Sequence, residues 1–391
     1  MGVLDIVRHG YERFEKSRKL APAVVRAAER MLACRTAALG GHKQVCPNGH
    51  FQRIWYNSCK HRFCPQCAFT SIERWLARQK ARLLECDHFH LIFTIPHGFH
   101  PLWRCNRGEM PRLLFRAVRE TLVELLDDPE YLGAQVGIIA TLHTWGQTLL
   151  LHPHIHCLVT GGGLGPDGTW LAAKKGYLLP VRVVRTVFRR KVREAIHAGL
   201  RSGTLTVPEG QRVDRWERVL VKLGKKKWHV RIMERYGHGA GVATYLARYL
   251  RGGPIRDGRI LAFDGETVRF SYTDNRASKR AGHKVGEVME LPAAEFLARL
   301  FQHVPEPNLK VVRYWGIYSP NKVDDLERCR ALLGQAPVPE AEDLSWQECC
   351  ERAGTRHPER CPVCGEILQR CQTLGPRRPR EVWKCPERRA A

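Results

Sequence analysis

The stretch Leu151-His152-Pro153-His154-Ile155-His156-Cys157-Leu158-Val159-Thr160-Gly161-Gly162-Gly163 decides how the chain is read. Its alternating, β-branched pattern predicts a strand over residues 154–160, ended by the three glycines. Successive strand side chains point to opposite faces, so His154 and His156 share one face while Ile155 and Cys157 take the other. Two imidazoles on one face converge on one ion. A second strand is predicted over residues 136–146, separated from the first by a segment short enough for a hairpin. In the register expected for that hairpin Gln147 falls opposite His154, which makes Gln147 the third ligand and His143 the runner-up, further from the ion. Two histidines and an amide oxygen suit Mg²⁺ or Mn²⁺ acting on a phosphodiester better than a closed structural zinc.

Outward from this hairpin, residues 88–95 alternate and end at Pro96, residues 228–233 alternate again, and Asp264-Gly265 sits between two alternating runs in 260–273, a hairpin signal. An aromatic strand follows at 311–318. Helical spacing runs through residues 4–16, 22–35, 70–84, 111–126, 183–200, 241–251 and 293–303. In 183–200 it turns Val184, Val187, Phe188, Val192 and Ile196 inward and Arg182, Arg185, Arg189 and Arg193 outward. Strands interleaved with helices, several joined by hairpins, imply an antiparallel α+β fold instead of a doubly wound parallel sheet. The expected organisation is a helical metal-binding domain at 1–85, a sheet domain at 86–330, a Pro- and Ala-containing linker at 331–345 and a Cys-rich segment at 346–391.

The 391 residues carry 64 Lys and Arg against 39 Asp and Glu, a formal charge of +25, and the isoelectric point is about 9.8. Basic residues recur from end to end, so a long polyanion is the expected partner, and Lys225-Lys226-Lys227 and Arg248 are the expected DNA contacts. No run of eighteen apolar residues and no signal pattern appear, which points to a cytoplasmic protein with no membrane partner. In a reducing compartment fifteen cysteines do not read as a disulfide framework. They read as metal sites, with Cys86, Cys105 and Cys329 as buried thiols.

Cys64-Pro65-Gln66-Cys67 is a knuckle that places two thiolates on one side of a zinc ion. Cys46 and His50 form the expected other half, with Cys59 and His61 near enough to join, or to share a second site with Cys34 and His42. Near the other end Cys361-Pro362-Val363-Cys364 resembles half a zinc ribbon, and Cys371, Cys385 or His357 are its expected completing ligands.

On the helix expected at 241–251, Tyr245 and Tyr249 are four apart and share a face. Alone, such a pair reads as packed core tyrosines. Beside a metal site the reading changes. A phenol with a pKa of about 10 is a poor nucleophile, yet it can attack phosphorus when a bound metal polarises the phosphate. Covalent attachment then conserves the bond energy for rejoining.

The array Cys34-Arg35-Thr36-Ala37-Ala38-Leu39-Gly40-Gly41-His42, the run from Asn57-Ser58-Cys59 to Cys64-Pro65-Gln66-Cys67, Leu142-His143-Thr144-Trp145-Gly146-Gln147, His152-Pro153-His154-Ile155-His156-Cys157 and Tyr245-Leu246-Ala247-Arg248-Tyr249 together resemble the rolling-circle transposases of the insertion-sequence ninety-one family. The resemblance runs nearly to Asn321. It implies an HUH endonuclease, named for histidine-hydrophobic-histidine, with an amino-terminal zinc-binding domain. By that implication His154 and His156 hold the catalytic metal on a palm-like antiparallel sheet. Tyr249, with or without Tyr245, forms a 5′-phosphotyrosine link to single-stranded DNA, with no nucleotide cofactor. Where the family usually has a second cysteine after Cys46, this chain has Gly49 followed by His50. Two other readings stay open: a non-catalytic, zinc-dependent DNA-binding protein, and a replication initiator with the same chemistry on a plasmid or phage.

Overall fold

The computed structural model describes residues 2–174, 176–237, 241, 253–352, 354 and 358–377. Its centre is an antiparallel sheet built from β3 (His88–Thr94), β4 (Gln135–Trp145), β5 (Leu151–Leu164), β7 (His229–Tyr236) and β11 (Val312–Gly316) in the order β11-β4-β5-β3-β7, with β6 (Trp170–Ala172) paired to the end of β5. The fold is α+β, as the alternation of strands and helices implied.

Strand pleating divides this sheet into two chemically different faces. Phe89, Leu91 and Phe93 of β3, Ile138, Ala140 and Leu142 of β4, and Ile155, Cys157 and Val159 of β5 meet the helices Glu109–Leu126 and Val181–Arg201 in one apolar core. The second of these helices buries Val184, Phe188, Val192, Ile196 and Leu200, a stripe at intervals of four that its Val- and Phe-rich spacing prescribes. On the opposite face Ile139 and Leu158 are covered by the helices Ala68–Arg82 and Val323–Leu332, and the same face carries His88, His90, His143, His154 and His156.

The three glycines at 161–163 do not end β5; the strand runs through them to Leu164. They are there because neighbouring backbone passes too close for a side chain. A Cβ on Gly161 would stand 2.7 Å from Asp87 Cβ, and one on Gly163 would stand 2.5 Å from the Gln135 carbonyl oxygen.

Packing also crosses the boundary expected near residue 85. The helices Val3–Lys16 and Pro22–Ala33 share a core with the sheet β8 (Ile260–Phe263), β9 (Thr267–Thr273), β10 (Gly286–Pro292) and the helix Ala293–Phe301. A small third sheet joins the two ends of the chain: β12 (Gln369–Leu374) pairs antiparallel with β1 (Gly41–Val45), which pairs in turn with β2 (Gln52–Tyr56). Of the thiols expected to be buried, Cys329 is buried, Cys86 is half-buried, and Cys105 is exposed. Among the described residues no helix is long and apolar enough to cross a membrane.

Candidate functional site

The polar face of the central sheet brings His143, His154 and His156 together, with one ligand nitrogen from each within 4.8 Å of the others. Strand register does this: His143 of β4 pairs with His154 of β5, and Thr141 with His156. The rings of His143 and His156 stand 4.4 Å apart at their centroids, and those of His154 and His156 4.8 Å.

This corrects the expected register, in which Gln147 faced His154. β5 begins three residues earlier than expected because Leu151 is itself a core residue paired with Trp145. The connection therefore shrinks to a tight turn, closed by hydrogen bonds from the Gly146 N–H to the Leu150 carbonyl (3.0 Å) and from the Leu149 N–H to the Gly146 carbonyl (3.1 Å). Leu149 seats in the core shared by the amino-terminal helices and the second sheet. Gln147 is left exposed in the turn, its carbonyl accepting from the Arg259 guanidinium at 2.6 Å.

Burial holds His143, His154 and His156 below the ordinary imidazole value, with neighbouring imidazoles adding to the effect; the His154 imidazole is pushed down to about 4. All three are accordingly neutral near pH 7, the form that ligates a metal. The Nδ1–H of His154 donates to the His152 carbonyl at 2.6 Å, which turns the lone pair of Nε2 toward the cluster. His156 shares a 2.8 Å hydrogen bond through Nδ1 with Nε2 of His90 on β3, so Nε2 is the nitrogen it can offer to an ion. Inspection of the sequence missed His90, although His88-Phe89-His90 repeats the alternate-histidine signal of β5. The arrangement can bind one divalent ion through three neutral nitrogens, fewer donors than such an ion's full coordination number.

Next to His143, the ring of Trp145 stacks at 5.2 Å. Beyond it lies a cavity of about 280 Å³ whose lining includes Phe63, Trp75, Trp103, Arg62 and Arg107. The exposed Lys225, Lys226 and Lys227 lead into β7, whose first residue His229 pairs with Thr94 while Thr94 pairs with His154. They stand at the histidine end of the sheet. Tyr245, Arg248 and Tyr249, and with them most of the helix expected at 241–251, lie outside the described residues.

The expected zinc ligands sort into two groups that the sequence did not resolve. Cys34, Cys59, Cys64 and Cys67 form one cluster, and Cys46, His50, Cys361 and Cys364 another. In the first, Sγ separations are 3.4 Å for Cys34 and Cys67, 3.6 Å for Cys59 and Cys67, and 3.7 Å for Cys34 and Cys64. Zn–S bonds of about 2.3 Å arranged tetrahedrally put sulfurs roughly 3.8 Å apart, so the set fits zinc. S–H donors on Cys34, Cys59 and Cys64 hold the Cys67 thiol well below its usual value. His61 is not in either cluster; its Nδ1 accepts from the Phe63 amide at 3.2 Å. Cys371 is exposed and apart from both, and Cys385 and His357 lie outside the described residues.

Comparison with known proteins matches two stretches of the chain. Residues 137–324 match a family described as "Putative transposase", and residues 6–95 match a family described as "Transposase zinc-binding domain". The chain is similar to "Putative transposase y4qJ" of Sinorhizobium fredii (strain NBRC 101917 / NGR234), 36% identical over 372 residues that span 93% of this chain and 92% of the relative. It is also similar to "Transposase for insertion sequence element IS801" of Pseudomonas savastanoi pv. phaseolicola, 30% identical over 350 residues, 87% of this chain and 82% of the relative. No solved structure matches the chain significantly.

Proposed function

Because the chain belongs to the transposases of the insertion-sequence ninety-one family, enzymes that cut and rejoin DNA, we propose that it works as an HUH-type nickase and strand transferase on single-stranded DNA. The observation that carries this reading is the buried, neutral cluster of His143, His154 and His156 on adjacent strands. These three residues hold a divalent ion whose contribution, when bound, is to polarise the scissile phosphate. A set of three nitrogens favours Mn²⁺ over Mg²⁺, which prefers oxygen ligands. Tyr249 is the nucleophile. Its oxygen loses the phenolic proton and bonds to phosphorus, the bond from phosphorus to the 3′ oxygen breaks, and the leaving oxygen takes up a proton to become a 3′-hydroxyl while the 5′ side stays on the tyrosine, with no net change in protons. The Trp- and Phe-lined cavity beside Trp145, flanked by Arg62 and Arg107, supports a single-stranded substrate, since unpaired bases stack on aromatic rings. Lys225, Lys226, Lys227 and Arg248 contact the phosphate backbone. Cys34, Cys59, Cys64 and Cys67 hold a structural zinc.

Incubation of the protein with labelled single-stranded oligonucleotide and Mn²⁺ should give a protein–DNA adduct that survives denaturant. Tyr249→Phe keeps the ring and deletes only the hydroxyl, so it should bind DNA and give no adduct. Tyr245→Phe should at most slow a second transfer. If Tyr245→Phe gives no adduct and Tyr249→Phe gives the full yield, the two roles are exchanged; if both variants give it, neither tyrosine is the nucleophile. Binding by the unaltered protein without any adduct would favour the non-catalytic DNA-binding reading.

His90 is a positioning residue in this scheme, since it fixes the ring of His156 without reaching the ion itself. Partners of that kind are worth roughly 10- to 100-fold in metal affinity or activity. His90→Ala should raise the Mn²⁺ concentration needed for half-maximal nicking by about that factor, with saturating Mn²⁺ recovering much of the rate. His90→Gln, which keeps a hydrogen-bonding group, should recover part of the affinity. An unchanged Mn²⁺ requirement in His90→Ala would show that the contact does not position His156.

A further inference from the structure

We propose that Cys46 and His50, in the turn between β1 and β2, and Cys361 and Cys364, in a turn just before β12, form a second zinc site that clasps the amino-terminal hairpin to the carboxy-terminal segment. One ligand atom from each lies within 4.8 Å of the others. Cys46 Sγ is 3.5 Å from Cys364 Sγ and 4.0 Å from His50 Nδ1. A tetrahedral zinc bound by three thiolates and an imidazole needs ligand atoms about 3.5 to 3.8 Å apart.

The two turns are built alike. The Cys46 amide donates to the Phe51 carbonyl at 2.8 Å, and the Cys361 amide donates to the Glu366 carbonyl at 2.7 Å, five residues on in each case. Gly49 and Gly365 then take φ values of 74° and 78°, the left-handed geometry that lets each loop fold back under its sulfur.

Position and energetics agree. Glu359, two residues before Cys361, accepts from Gln44 Nε2 at 3.1 Å, from Arg370 Nη2 at 2.8 Å and from Gln347 Nε2 at 2.5 Å. This knot draws the carboxy-terminal turn against β1 and brings its cysteines to Cys46. Among the described residues the apolar cluster at the β12-β1-β2 sheet consists of Cys46, Cys361 and Leu368, with Phe51 partly buried against them. Three buried side chains are no core for three strands, and assemblies that small draw their stability from a metal or a cross-link. Among the described residues neither end brings four ligands together alone: Cys371, on β12, is exposed and is not grouped with the four.

Thiol alkylation of the zinc-replete full chain with iodoacetamide, read by peptide mass spectrometry, tests this without any substitution. Cys105 and Cys371, exposed and outside both clusters, should label at once, whereas Cys364, equally exposed, should resist. Limiting chelator should release one zinc per chain, and Cys46, Cys361 and Cys364 should become reactive in step with it, ahead of the buried Cys34, Cys59 and Cys64. Zinc analysis of variants gives an independent reading. Cys46→Ser and Cys361→Ser should each lose one zinc per chain, the double variant should still lose one, and His50→Cys should keep it. Labelling of Cys364 at the rate of Cys105 in zinc-replete protein, or a double variant that loses two zincs, would overturn the proposal.

Discussion

His143→Ala should reduce Mn²⁺-dependent nicking by roughly a thousandfold or more, about 4 kcal/mol of transition-state stabilisation, while Gln147→Ala should stay within about twofold of the unaltered protein. The difference follows from register. His143 pairs with His154, and its ligand nitrogen lies within 4.8 Å of those of His154 and His156; Gln147 is exposed in the turn. His154→Ala and His156→Ala should behave as His143→Ala does. Because His143 is buried, its truncation also opens a small void, so the kinetic loss has to be separated from misfolding. Direct Mn²⁺ titration by calorimetry, with circular dichroism to confirm the fold, makes that separation: the variant should be folded and fail to bind the ion. A Gln147→Ala variant that binds Mn²⁺ less well than His143→Ala would show that the amide, not the third imidazole, is the ligand.

That reversal marks where the sequence was legible and where it was not. Alternation placed His154 and His156 on one face of a strand, because the period of a strand is fixed by its covalent geometry. Which residue lies opposite is a different kind of question. It depended on Leu151 being a core residue and on a hydrogen-bonded turn over Gly146 to Leu150, neither of which periodicity reports. The glycines at 161–163 show a similar limit. Glycine reads as a strand end from sequence, yet here it marks close approach of Asp87, Trp170 and Gln135 to a strand that continues. Helical spacing is also present where none of the expectations places a helix: Val213–Gly224 buries Trp216, Leu220 and Leu223 as one stripe.

The zinc ligands were legible as residue types and not as sets. Cysteine density between residues 34 and 67 announced metal binding, but spacing alone paired Cys64 and Cys67 with Cys46 and His50, their neighbours in sequence. The structure groups them with Cys34, at the end of the helix Pro22–Ala33, and with Cys59. Cys46 and His50 instead meet Cys361 and Cys364. A contact that closes over some three hundred residues leaves no trace in local pattern, since chain length between ligands is nearly unconstrained once the rest of the fold brings them together.

Cys64→Ser should remove one zinc per chain and loosen the region from Cys34 to the first turns of the helix Ala68–Arg82. Cys64 is fully buried and belongs to the core formed by the amino-terminal helices and the second sheet. Its knuckle partner Cys67 caps the helix Ala68–Arg82, whose Ala68, Ile72 and Leu76 cover one face of the central sheet. The ion therefore ties the end of the helix Pro22–Ala33, the segment around Cys59 and the start of the helix Ala68–Arg82, and structural zinc sites supply folding free energy on the order of 10 kcal/mol in small domains. Serine is nearly isosteric with cysteine but ligates zinc poorly, so the loss reads on the metal and not on packing volume. Hydrogen exchange should show protection falling across residues 34–75, with little change in β4 and β5, whose own core on the opposite face lies against the helices Glu109–Leu126 and Val181–Arg201. Ser at position 64 with full zinc content and unaltered exchange would mean that the four thiols are a packed cluster and not a metal site. Unfolding of the whole chain in the same experiment would instead mean that the zinc is needed by both cores.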